Sequence, residues 1–86
     1  MPTISQFFGI SIRMYYDDHA PPHFHAYYGR AAAVIEIESL SVREGHLPRR
    51  ARALVLEWAA EHRDELREDW RLAENHQPLN EIDPLE

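Results

Sequence analysis

Three histidines that could bind a metal ion lie close together in the sequence: His19, His23 and His25. Residues two apart on a β-strand point to the same face of the sheet, so His23 and His25 can direct two imidazole nitrogens toward one ion. A divalent metal such as zinc favours these ligands, and His19, Asp17 or Asp18 could complete the set from the preceding loop. One interpretation of the segment is therefore a metal site whose candidate ligands are Asp18 and the three histidines.

The same histidines allow two other interpretations. Paired imidazoles can hold different protonation states near neutral pH, which makes His19, His23 and His25 candidates for general acid–base catalysis on a phosphodiester or another labile substrate. Alternatively, they are partly exposed side chains that stack on neighbouring aromatic rings and cap the backbone of the loop. A His-x-His pair alone does not separate these interpretations, because exposed histidines are common on strands.

A second candidate site is the group Arg49, Arg50 and Arg52, which falls in the first turn of a predicted helix. Positive charge at that end opposes the helix dipole, so local helix stability does not explain the group. The free N–H groups of a helix N-terminus bind anions, and added arginines could form a cradle for phosphate or carboxylate. The alternative is ordinary ion pairing, either with a partner protein or with Glu36, Glu38 and Glu44.

The helix that carries these arginines is the clearest element in the sequence. Pro48 suits its first turn, where a missing N–H has no cost. Its apolar stripe has helical spacing and includes Ala51, Leu54, Val55, Trp58, Ala59, His62, Leu66 and Trp70. The pattern predicts one long helix over about residues 48–75, ended by Pro78 and followed by a tail, 76–86, that folds back through Leu79, Ile82 and Leu85.

The preceding part of the chain, about residues 3–44, predicts a small, mostly antiparallel sheet of four to five strands. Ile10 to Tyr16 alternates apolar and polar residues, as a half-buried strand does. His23–Tyr28 and Ala31–Glu38 resemble a hairpin, and Leu40–Arg43 a last short strand. The fold class is therefore α+β, a single domain over residues 1–86 in which one helix covers one sheet face. If Phe24 faces that core, the two strand histidines face outward, and the ring of His19 should approach them.

Composition narrows the class of protein. The 86 residues permit one modest core, and a net charge of −6 argues against general affinity for nucleic acid. No apolar stretch approaches the roughly 20 residues of a membrane helix, and no export signal is evident. Because the sequence contains no cysteine, which secreted domains of this size commonly use for disulfides, we expect a cytoplasmic location.

Several segments together resemble domain-of-unknown-function family 4160, over nearly the whole chain. They are Pro2-Thr-Ile-Ser, Phe7-Phe8-Gly9, Asp18-His19-Ala-Pro-Pro-His-Phe-His-Ala26, Leu47-Pro-Arg-Arg-Ala51, Leu56-Glu-Trp58, Pro78-Leu79, Ile82 and Pro84-Leu85. The resemblance implies a small bacterial or phage-borne protein without an established activity, with the three histidines at a functional site. It also implies a small partner protein encoded nearby, in a pair that resembles a toxin–antitoxin module. His76 departs from similar sequences, which often have glycine just after the helix.

Two functional interpretations follow. In the first, the protein is one component of a toxin–antitoxin-like module, and the histidines and arginines act on or bind RNA or a nucleotide. In the second, it is a non-enzymatic module that binds a divalent metal or a protein partner. The sequence does not decide whether the protein is an enzyme. A core this small also makes a homodimer an open alternative.

Overall fold

A computed structural model describes residues 2–86, which form five strands and two helices. The strands are β1 Thr3–Phe7, β2 Ile10–Arg13, β3 His23–Tyr28, β4 Ala31–Glu36 and β5 Val42–His46, and the helices are α1 Arg49–Glu61 and α2 Arg63–Glu74. The strands form one antiparallel sheet in the order β1-β2-β3-β4-β5. The predicted α+β class is confirmed. The last strand lies later than predicted, at 42–46, and β2 ends before Tyr16.

The prediction of one long helix is wrong, because the helix is interrupted at His62. This residue has φ −120° and ψ 25°, outside the helical range, and its N–H donates to the carbonyls of both Trp58 and Ala59. Asp64 and Glu65 follow in the first turn of α2, where negative charge stabilises a new helix N-terminus. The single apolar stripe of the sequence is therefore divided between two helices, each with its own buried face.

One face of the sheet packs against the helices and forms the core. The indole of Trp58 is fully buried, with its ring centre 5.4 Å from that of Phe7 and 5.9 Å from that of Phe24. The tail returns to this core: Ile82 donates its N–H to the Ile4 carbonyl at 2.7 Å, and the Trp58 indole donates to the Asp83 carbonyl at 2.8 Å. These hydrogen bonds hold the tail across β1 and α1 although it has no regular secondary structure.

The opposite face of the central strands carries polar and aromatic side chains. Alternate residues of β2 and β3 on this face, among them Arg13, His25 and Tyr27, are only half-buried, whereas their sequence neighbours Ile12 and Ala26 are fully buried. The candidate site lies on this partly exposed polar face.

Neither helix of residues 2–86 is long and apolar enough to cross a lipid bilayer.

Candidate functional site

The two histidines of β3 lie side by side at the border between the polar face and the helices, since His25 is half-buried and His23 contacts Trp70 of α2. Strand alternation directs Phe24 into the core and His23 and His25 away from it, and the two imidazole centres are 5.3 Å apart. The burial of the two rings differs. His25 is half-buried, but His23 is only 3 % exposed because it lies at the start of the strand beneath the indole of Trp70, 5.1 Å away between ring centres.

Asp18 joins these two histidines from the loop before β3. One carboxylate oxygen, Oδ2, lies 3.1 Å from Nε2 of His23 and 3.0 Å from Nε2 of His25. The ligand atoms of the three side chains all lie within 4.8 Å of one another, as one metal ion would require. A backbone hydrogen bond of 3.0 Å from the Ile37 N–H to the Pro22 carbonyl fixes the end of this loop, just before β3. The site is thus assembled from one strand and one anchored loop.

The hydrogen bonds of His23 determine which of its ring nitrogens faces the site. Nδ1 lies 2.8 Å from the carbonyl oxygen of Pro21, and a carbonyl can only accept, so Nδ1 carries the hydrogen and donates it. In a neutral imidazole, Nε2 then has a lone pair, and this lone pair faces Oδ2 of Asp18. An ionised carboxylate has no hydrogen to donate. The contact is therefore attractive only if a proton or a metal ion lies between the two atoms.

The two separations from Asp18, which are also hydrogen-bond distances, are close to those of ligands around one ion. Zinc binds histidine nitrogen and carboxylate oxygen at about 2.0–2.2 Å, so two ligand atoms on a tetrahedral ion are about 3.3 Å apart. The observed separations from Asp18 are slightly shorter, at 3.0 and 3.1 Å. Three protein ligands leave further coordination positions open, and the His25 and Asp18 side chains are 20 % and 27 % exposed. A bound ion would be accessible to a small molecule.

Two tyrosines and one arginine border the site. The Tyr15 and Tyr27 hydroxyls share a 2.6 Å hydrogen bond, and the Tyr15 ring meets that of His25 edge-on at 4.6 Å. Burial, followed by this hydrogen bond, raises the pKa of Tyr27 to about 12. The Tyr27 hydroxyl therefore stays protonated at neutral pH. The guanidinium of Arg13 lies over the Tyr27 ring, 4.9 Å from its centre.

His19 is the one histidine of the sequence motif that the fold leaves outside the cluster. Its side chain is exposed, and it is not part of the group formed by Asp18, His23 and His25. The expected approach of three histidine rings is therefore not observed, and a carboxylate takes the third position. The expectation that both strand histidines face outward is also only half met, because Trp70 covers His23.

The arginines of the second candidate site are exposed at the start of α1. Among residues 2–86, neither Arg49, Arg50 nor Arg52 makes an ion pair. Glu38, one of the predicted partners, instead binds Arg67 of α2 through two hydrogen bonds of 2.7 and 2.8 Å. The hydrogen bond from that guanidinium lowers the pKa of Glu38.

Sequence reasoning missed the roles of Tyr15, Arg13 and Trp70. The alternation of β2 places Arg13 on the polar face, and the pairing of β2 with β3 then sets it opposite His25. That register could have been inferred from the hydrophobic pattern. The contact of Trp70 with His23 had no signal in the sequence, because the helical stripe only indicated that the indole is buried.

Comparison with known families identifies one family model that matches this chain. A family model described as a domain of unknown function (DUF4160) matches residues 9–71, which include Asp18, His23 and His25. Comparison with curated proteins and with solved structures finds no match. The site therefore has to be interpreted from its own chemistry.

Proposed function

The chain belongs to the DUF4160 family, to which no activity is attached, and we propose that it binds one divalent transition-metal ion through Asp18, His23 and His25. The observation that carries the proposal is the orientation of His23. Its Nδ1 donates to the Pro21 carbonyl, so its Nε2 lone pair points at the carboxylate oxygen that also contacts His25. Metal-ligating histidines commonly have this second hydrogen bond, which fixes the ring and raises its basicity.

The alternative to a metal ion is a proton shared between Nε2 of His23 and Oδ2 of Asp18. The His23 ring is buried against the indole of Trp70, and the same carboxylate oxygen also lies 3.0 Å from Nε2 of His25. A dication held by three ligands satisfies all three side chains at once.

The ligand set indicates the class of metal. Two imidazole nitrogens and one carboxylate oxygen favour zinc, iron(II) or a neighbouring first-row ion. Calcium and magnesium favour sites built from oxygen ligands. Open coordination positions resemble catalytic rather than structural sites, since structural zinc sites usually have four protein ligands. The protein therefore resembles a metal-dependent enzyme or ligand-binding protein more than a metal-stabilised scaffold.

Metal content of the untagged protein tests the proposal. We expect about one zinc or iron per chain by elemental mass spectrometry after growth in supplemented medium. His23→Ala combined with His25→Ala should remove it, and Asp18→Asn should weaken binding by at least about tenfold, because it replaces a charged ligand.

His19→Ala is the matched control, because it removes an exposed histidine from the same loop. It should leave metal content unchanged. Loss of metal in His19→Ala would contradict the ligand set, and metal-free wild-type protein with no measurable affinity for Zn²⁺ or Co²⁺ would contradict the site altogether. Circular dichroism of each variant separates loss of a ligand from loss of the fold.

A second candidate function places the protein in a toxin–antitoxin-like pair that acts on or binds RNA or a nucleotide. What supports it is the exposed group Arg49, Arg50 and Arg52, which makes no ion pair with the acids of residues 2–86. Arginines in this state are available to phosphate oxygens. The net charge of −6 restricts such binding to a local contact.

Growth inhibition on induction, with and without the product of the neighbouring gene, tests this second function. Fluorescence anisotropy with a labelled single-stranded RNA should show binding that is lost when all three arginines are changed to glutamine. Unimpaired growth together with no RNA affinity would contradict it without affecting the metal proposal.

A further inference from the structure

Arg13 is a basic side chain that the sheet places beside the proposed metal ligands. In the antiparallel pair β2–β3 it lies directly opposite His25, so both side chains emerge on the same face of the sheet. Opposite residues in such a pair have Cβ atoms about 4.5–5.5 Å apart. Arg13 is therefore the cross-strand neighbour of a proposed ligand.

The guanidinium is also held in place. It lies over the face of Tyr27, 4.9 Å from the ring centre, and the Tyr27 hydroxyl is in turn fixed by its 2.6 Å hydrogen bond with Tyr15. Stacking on an aromatic ring orients a guanidinium without consuming its N–H donors. The contact positions Arg13 but leaves its hydrogen-bonding capacity free.

No acid of residues 2–86 neutralises this arginine. It forms no ion pair, although the chain has more acidic than basic residues, and its buried Nε atom has no hydrogen-bond partner. A half-buried cation without a counterion is unfavourable and needs a functional explanation. An anionic ligand would supply the missing charge.

We propose that Arg13 and the metal ion together bind a small phosphate-type oxyanion on the polar sheet face. The proposal rests on the metal site described above. A dication and a guanidinium outweigh the single negative charge of Asp18, so the loaded site attracts an anion. Phosphate oxygens suit both partners, since they coordinate metal ions and accept paired hydrogen bonds from arginine.

The ligand is a small molecule rather than a nucleic acid. A polyanion requires several basic side chains along its path, and the polar face that contains Arg13 also carries Asp18, Glu36 and Glu44. These carboxylates would repel the flanking phosphates of a polymer, whereas a single phosphate group contacts only the metal and Arg13.

Cobalt-loaded protein tests this anion subsite, which Arg13 and the metal ion would form together. The visible spectrum of bound Co²⁺ reports first on metal binding and then on a new ligand. Inorganic phosphate is titrated into the loaded wild-type protein and into Arg13→Gln, Arg13→Lys and Arg30→Gln. Arg30 is an exposed arginine between β3 and β4, so its replacement is a control of equal charge change. We expect Arg13→Gln to weaken phosphate binding by about tenfold or more, Arg13→Lys to weaken it less, and Arg30→Gln to leave it unchanged.

The outcomes separate this inference from the metal proposal. No cobalt spectrum in wild-type protein would overturn the metal site and the subsite with it. A cobalt spectrum with equal phosphate affinity in wild type and Arg13→Gln, or with no phosphate effect at all, would overturn the subsite alone. Arg13-dependent binding of a single-stranded RNA without binding of inorganic phosphate would show that the ligand is a polymer and not a small anion.

Discussion

The indole ring of Trp70 lies 5.1 Å from the imidazole of His23, measured between ring centres, and the two planes are inclined by 51°. This contact joins helix α2 to the start of β3 and covers the buried ligand of the proposed metal site. It links the stability of the helix layer to the geometry of the site, and it supplies a fluorescent reporter next to the proposed metal site.

Binding of Co²⁺ should quench the fluorescence of Trp70. The other tryptophan, Trp58, lies in the core against Phe7 and Phe24, so the quenching should be much smaller in Trp70→Phe. The measurement is a fluorescence titration of both proteins, with cobalt absorbance recorded in parallel. Equal quenching in both proteins would show that the ion binds elsewhere.

Asp69 should make the protein less stable as the pH rises above about 4. Its side chain is fully buried, one oxygen accepts a 2.9 Å hydrogen bond from the Asn80 N–H, and the other has no partner within residues 2–86. Burial raises the pKa of Asp69 to about 6; the charges of Glu68 and Glu65 contribute to this rise, and the hydrogen bond from the Asn80 N–H opposes it. The folded state therefore binds the proton more tightly than the unfolded chain, whose pKa is about 3.9.

The sign of the effect follows from that difference. The contribution of Asp69 to stability is complete below pH about 4 and is lost as the pH rises through about 6, by up to about 3 kcal/mol. Asp69→Asn keeps the acceptor for Asn80 and should remove this part of the pH dependence in urea unfolding. Glu74→Gln, on the exposed face of α2, is the control. Identical pH profiles for wild type and Asp69→Asn would refute the assignment.

Replacing His76 with glycine should stabilise the protein by about 1 kcal/mol. His76 has φ +54° where α2 ends, and the N–H groups of His76 and Gln77 donate to the carbonyls of Ala73 and Leu72 at 3.1 and 2.9 Å. Such a helix end favours glycine, because a Cβ atom is strained in the left-handed region.

Thermal unfolding measures the gain, with His76→Ala as the control that keeps the Cβ atom and should bring no gain. An increase of several degrees is expected for a chain of this size. An unchanged or lower melting temperature in His76→Gly would mean that the stacking of His76 on Tyr16, at 6.2 Å, outweighs the backbone strain.

Gly45→Ala should destabilise the sheet much more than Gly29→Ala. Both glycines have positive φ, so both substitutions introduce strain of about 1–2 kcal/mol. At Gly45 the new methyl group would also overlap the carbonyl oxygen of Ala32 and lie 3.0 Å from Cα of Ala33, whereas at Gly29 nothing lies within 4 Å. Chemical unfolding of the two variants compares them directly, and equal losses would contradict the close approach of β5 to β4.

The sequence by itself determined the sheet region, the helical region and the placement of His23 and His25 on the same side of one strand. The alternation of His23, Phe24 and His25 gave the orientation of the side chains, because a strand has a period of two whatever surrounds it. The apolar stripe likewise gave a helical layer and an α+β class. The interruption at His62 was not predicted, because the stripe continues through it and only backbone angles and packing divide the two helices.

Only the tertiary structure decided which side chains meet. His19 and Asp18 are neighbours in one loop, and no periodicity governs a loop, so the path of the backbone between β2 and β3 selected the carboxylate and left the histidine exposed. The indole ring that covers His23 belongs to Trp70, which lies 47 positions further along the chain. Such contacts depend on how α2 packs against the sheet, which is a property of the whole core and not of any local pattern.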